Sequence, residues 1–348
     1  MYIALQLQAQ AAWKWYNFIA AERGPDRRIL RVNMDETAVC LCQGGRPGHI
    51  FMSRGHTLVE KTNLSLRRAY VTHIAFVCDD PEIQKLLPQI LICNKHTVNA
   101  ADYAAVTADL PPNVHLWRHD SAWVNKGLCK DIIRLLATSL ASVMHLLHVI
   151  LMFDAYGAHI CPQMWNALAR WGIVGLLIPA SETWLLQPLD VHVFKAFKGN
   201  LQRHYQRRRV KADGPEINFA RVIRSVCDAI RDVISARGWA HAFDNNGWNV
   251  GQTQVTQRVR SALGLSLPII VGNTRPTVGE LSLCHPKRRT VHTRAIWRRA
   301  AVPVIPAAAP APASASSSSS SAMCGPAVAI CKPIASRTRS KAASSSGA

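Results

Sequence analysis

Three aspartates stand where the chain could do chemistry. Asp35 follows the apolar-alternating stretch RRILRVNM, Asp154 closes the apolar run VILMF, and Asp190 follows LLQPL. From Val191 to Ala212 there is no Asp or Glu, but Lys195, Lys198, Arg203, Arg207, Arg208, Arg209 and Lys211 are all present. A lone carboxylate leading into a basic segment fits two devices. It can start a helix, two residues after Pro188, where its charge gains ~0.3–1 kcal/mol from the macrodipole. It can also be one ligand of a metal site that works on a polyanion. Mg²⁺ takes a few carboxylates and leaves room for water and phosphate. Two such ions about 3.5–4 Å apart can activate an attacking oxygen and stabilise a leaving one in phosphodiester cleavage. Three acids crowded together without a cation would raise each other's pKa. Each acid alone also has a plainer role: Asp35 in a turn, Asp154 as an Asx-type cap. His159, five residues after Asp154, is a candidate phosphate contact or a support for the site.

These residues need elements to position them. RRILRVNMDETAVCL predicts a strand through Met34, ending at Asp35. GHIFMS, LRRAYVTHIAFVC and LLPQILIC predict further strands. AWVNKGLCKDIIRLLATSLASV has helical periodicity, with Val124, Leu128, Ile132, Leu135 and Leu136 on one face. LHVILMF is apolar without alternation, as in a strand buried on both faces. CPQMWNALARWG predicts a short helix closing on Gly172, and GIVGLLIPA the next strand. Phe194, Phe197, Leu201 and Tyr205 make one apolar stripe on a helix whose remaining surface is largely basic. Residues 215–238 predict another helix. The order of elements gives an α/β fold, a mixed sheet with helices on its faces. In open α/β sheets, active groups collect beyond the strands' C-terminal ends. The 35 residues between Asp154 and Asp190 suffice for a helix, a returning strand and a turn.

The chain has 348 residues, 41 Lys and Arg, and 21 Asp and Glu, a net charge of +20. That balance points to nucleic acid or an anionic surface as partner. No run reaches the ~18 apolar residues of a membrane span, and the first residues lack a basic n-region. No membrane partner is expected, and a cytosolic or nuclear location follows. Ten cysteines occur without a CxxC pair, which argues against a zinc ribbon or a disulfide scaffold. Neither GxGxxG nor GxxxxGK[ST] occurs, so a small-phosphate enzyme has no phosphate loop to support it. Residues 275–300 hold seven Lys or Arg against Glu280 alone, with PKRR at 286–289 and WRRA at 297–300 as a nuclear-import or phosphate-binding patch. Ala, Pro and Ser dominate residues 301–348, which hold no acid, a disorder-prone composition.

NMDETAV, VILMFDAYGAH and LQPLDVHVFKAFK, in that order, resemble the three catalytic blocks of the DDE superfamily endonuclease domain. The resemblance is to the pogo and Tigger-like branch of the mariner transposases, related to centromere protein B. DSAWVNKGLCKDII resembles the tryptophan-containing helix before the second block. The similarity spans roughly residues 28–210. It implies an RNase H-like fold and two Mg²⁺ or Mn²⁺ ions held by Asp35, Asp154 and Asp190. It implies hydrolysis of a DNA strand to a free 3′-OH and, in a full transposase, attack of that hydroxyl on target DNA. DNA is then the partner and the nucleus the location. His159, Lys195, Lys198, Arg203, Arg207, Arg208 and Arg209 become DNA-contacting residues. The domains follow: 1–27, an N-terminal helix that is a remnant or a linker; 28–212, the endonuclease domain; 213–270, a helical extension; and 271–348, a disordered basic tail. Only 34 residues precede Asp35, too few for a helix-turn-helix, which suggests a separate DNA-targeting partner and leaves room for a homodimer. Ala155–Tyr156 replaces the Asn-Ala usual in that family. The alternative is a catalytically inactive, domesticated DNA-binding or chromatin protein that keeps the fold.

Overall fold

The computed structural model describes residues 2–23, 27–41, 70–210 and 219–284. The strand expected at GHIFMS, the PKRR and WRRA motifs and the tail beyond 284 lie outside them. The described residues all belong to one compact unit, and the second unit, 306–348, lies wholly outside them.

The chain order is α1 (Tyr2–Glu22), β1 (Arg28–Cys40), β2 (Tyr70–Cys78), α2 (Pro81–Gln84), β3 (Gln89–Asn94), α3 (Ala100–Thr107), β4 (Val114–His119), α4 (Lys126–Ser139), β5 (Leu147–Asp154), α5 (Pro162–Arg170), β6 (Val174–Ile178), α6 (Thr183–Leu186), α7 (Phe194–Val210), α8 (Phe219–Ala229), α9 (Ala240–Asn245), α10 (Gln257–Leu263) and α11 (Val278–Leu283). A π-helical turn, Leu189–Val193, runs into α7, and another, Ile230–Ile234, follows α8. The six-stranded sheet has the order β4-β3-β2-β1-β5-β6. β1, β2 and β3 pair antiparallel, while β5 joins β1 and β6 joins β5 in parallel. That is the RNase H-like arrangement, a mixed sheet flanked by helices. β4 is added at the edge, parallel to β3.

Local sequence explains most of these elements. β5 is buried along most of its length and carries the near-continuous apolar run expected of a central parallel strand. Asn125 caps α4 by accepting from the amides of Gly127 and Leu128 at 2.9 and 3.1 Å. Pro162 starts α5, and Gly172 follows its end in the left-handed region at φ 65°. The stripe Phe194, Phe197, Leu201 and Tyr205 is buried as expected. α1, expected as an N-terminal helix that is a remnant or a linker, is built into the core through Trp13, Trp15, Tyr16 and Ile19. Trp13 donates to the Asn246 carbonyl at 3.1 Å. Gly247, at φ 85°, lies so close that a Cβ there would meet the Trp13 ring at 2.5 Å.

Candidate active site

The register of two strands brings the first two acids together. β1 and β5 pair in parallel from Arg28↔Leu147 to Asn33↔Met152, a constant offset of 119. Carried two residues further, that offset sets Asp35 beside Asp154, the last residue of β5. Asp35 does not end its strand, as the sequence suggested. β1 runs on to Cys40 because its antiparallel partner β2 continues, pairing Asp35 with Ala75 and Cys40 with Tyr70. What ends near Asp35 is the ladder to β5, and the functional expectation needed only that. Asp190 arrives from outside the sheet, in the π-helical turn ahead of α7. The amide of Leu189 donates to the Asn33 side-chain oxygen at 2.9 Å, which seats this turn against β1.

Asp35 and Asp190 feel the acids around them. Asp35 is 8 % exposed, and its Oδ1 accepts from the Glu36 amide at 2.8 Å. Burial first, then Asp190, Glu36 and Asp154, push its carboxyl well above the usual range. Asp190 is exposed, yet partial desolvation and the Asp154 charge raise it too. Lys198 and a hydrogen bond with Asp35 pull it the other way. This is the mutual penalty expected of a carboxylate group without a cation.

Of the two roles expected for His159, phosphate contact or support for the site, its contacts describe the second. The side chain is 1 % exposed and bridges two acids, Nδ1 at 2.6 Å from Asp154 Oδ1 and Nε2 at 2.8 Å from Glu36 Oε1. Burial disfavours its charged form, but Glu36 and Asp154 outweigh burial and hold the ring's pKa well above the ordinary histidine value. Phe153 and Tyr156 meet the ring edge-on at 5.8 and 5.6 Å. His159 therefore fixes Asp154 from behind. Two site residues escaped the sequence reading. Glu36 was visible only as part of NMDE, and Asn33 gave no signal before the register was known.

Among the described residues, no three His, Cys, Asp or Glu side chains converge into a ready-made metal centre. The donors nevertheless suit a divalent ion. They are hard oxygens, and burial and neighbouring acids raise Asp35 and Asp190 in a way that bound positive charge would relieve. Asp35, Asp154 and Asp190 are the residues that could hold it.

Behind Asp190, α7 presents a basic outer face. Lys195, Lys198, Arg203 and Arg207 are exposed, and none makes an ion pair with a described residue. Gln202, Arg203, Gln206 and Arg207 line a shallow open groove. Arg208 differs: it is ion-paired to Asp228 of α8, so its charge is already matched. Arg209 lies in the same helix, its side chain outside the described residues.

Two solved structures are similar to this chain. One is the Mos1 transposase paired-end complex with left transposon end, at 13 % identity and TM-score 0.36, covering 70 % of this chain and 62 % of that one. The other is the Mos1 mariner paired-end complex with Mn, at 12 % identity and the same TM-score and coverage. The chain thus spans 62 % of the length of those Mos1 chains. No curated protein matches it. Residues 74–243 match the family model described as DDE superfamily endonuclease. The match takes in Asp154, His159, Asp190 and the basic helix, while β1 with Asp35 lies outside it and enters the site by pairing with β2 and β5. Over residues 74–243, the chain is similar to the DDE superfamily endonuclease domain.

Proposed function

We propose that this chain is a metal-dependent DNA nuclease of the transposase type, on the pogo and Tigger-like branch, acting on DNA in the nucleus. The observation that carries this reading is the grouping of Asp35, Asp154 and Asp190 by the β1–β5 register and the Asn33–Leu189 bond. Two Mg²⁺ or Mn²⁺ ions on these carboxylates would supply activation of the attacking oxygen and stabilisation of the leaving one. The chain's own residues do the rest. His159 holds Asp154 in one orientation and keeps Glu36 from competing for the site. Lys195, Lys198, Arg203 and Arg207 neutralise phosphates along the backbone and give affinity without sequence preference. Tyr156, exposed beside Asp154, is placed to stack on a base.

The test is nicking of supercoiled plasmid in Mg²⁺ or Mn²⁺, with an EDTA control. Asp154→Asn is expected to cut the rate by at least ~100-fold, the effect of losing about 3 kcal/mol of transition-state stabilisation. DNA binding without nicking in the unmutated protein would instead favour an inactive, domesticated DNA-binding protein.

A further inference from the structure

The three acid-bearing segments meet at one uncharged side chain. Asn33 is completely buried. Its Nδ2 donates to the Met152 carbonyl at 3.0 Å, two residues before Asp154. Its Oδ1 accepts from the Leu189 amide at 2.9 Å, one residue before Asp190. Its own backbone carries Asp35 two residues on. The partners fix which way the amide points, because a flipped side chain would set N–H against N–H and oxygen against oxygen. The β1–β5 ladder already sets Asp35 against Asp154. The Asp190 turn belongs to no strand, and the sheet's own hydrogen bonds cannot fix its height.

We infer that Asn33 is the positioning residue that clamps the Asp190 turn onto the β1–β5 pair and so sets the spacing of the three carboxylates. The clamp stands on the hydrogen bonds alone. Its consequence for metal binding and cleavage rests on the nuclease reading above. Leucine shares asparagine's branched heavy-atom skeleton, so Asn33→Leu keeps the core filled and removes both bonds. Asn33→Ser is the second variant should leucine not fold.

The test combines hydrogen exchange on the full chain with Mn²⁺ titration calorimetry, using Asp154→Asn as the control for site binding. In the folded variant, amides of the 189–193 turn are expected to exchange roughly tenfold faster, as for the loss of about one buried hydrogen bond, with β2 and β3 unchanged. The Mn²⁺ dissociation constant is expected to rise by a similar factor, while DNA binding in EDTA stays the same. Unchanged exchange in the turn would overturn the clamp. Faster exchange with unaltered Mn²⁺ affinity and nicking would overturn its role in spacing the acids. If Asp154→Asn does not alter Mn²⁺ binding by the parent protein, the nuclease reading fails, and exchange in the turn alone decides the clamp.

Discussion

Glu182 is the acid this molecule accommodates least well. It is completely buried, and neither carboxylate oxygen has a hydrogen-bond partner among the described residues. Burial lifts its carboxyl from 4.5 to about 8, and the nearby Ala9 backbone offsets only part of that. The folded chain therefore holds this proton more tightly than the unfolded chain does. The stability linked to it is intact below about pH 4.5, falls as pH rises and is gone above about 8. The slope between those limits approaches ~1.4 kcal/mol per pH unit. Glu182→Gln should flatten that slope, leaving stability near pH 4.5 similar and raising it at pH 8 by a few kcal/mol. Urea unfolding of both proteins at the two pH values checks this. Residue chemistry was partly legible in the sequence. The three aspartates stood out because each follows an apolar strand or opens a basic helix. The clamp by Asn33 and the bridge from His159 to Glu36 did not, because they span 156 and 123 residues, and only a settled register brings such residues together.

At the scale of elements, α7 keeps its two faces separate. The apolar stripe packs inward, and the basic face is shared between solvent and α8. The helix covers about 18 Å from Lys195 to Arg207 at 1.5 Å per residue, roughly five base steps at 3.4 Å along one strand. Arg208 is committed to Asp228, so the charges open to a polyanion are fewer than the sequence count. Replacing both Arg203 and Arg207 by Ala should lower the slope of log affinity against log salt by about 1.8, at about 0.9 per lost phosphate contact. Replacing Arg208 alone should change that slope far less and destabilise the α7–α8 contact instead. Fluorescence anisotropy with duplex DNA over a salt series separates the two. Periodicity revealed this helix, and unbroken apolar runs revealed β5 and β6. Both missed β4: an edge strand reading VHLWRH, buried at alternate positions only at its start, carries too little apolar signal. The length of β1 was also missed, since pairing with β2, rather than its own composition, carries it past Asp35.

On the scale of the whole molecule, the first helix and the last described helices close the core together. Trp13 lies against Gly247, Lys14 pairs with Glu280 at 2.8 Å, and Asn17 bonds Gln252 at 3.3 Å and the Val271 carbonyl at 3.2 Å. Trp13→Ala should cost about 3–5 kcal/mol, and deletion of residues 2–22 should leave a chain that does not melt cooperatively. Circular dichroism during heating checks both. The sequence hinted at an N-terminal helix but not at its burial, because Trp13 and Asn17 bond Asn246 and Gln252, more than 230 residues away.

The Asn33 clamp also bears on when the molecule acquires its chemistry. Its two hydrogen bonds close loops of 119 and 156 residues. Closures of that length carry an entropic cost before they return any contact energy, so they belong to the slow, late part of folding. A nascent chain that has not yet emerged past Asp190 has no third acid to set beside Asp35 and Asp154. The three-acid site is an attribute of the finished fold, and the cell meets it only after the last strand is in place.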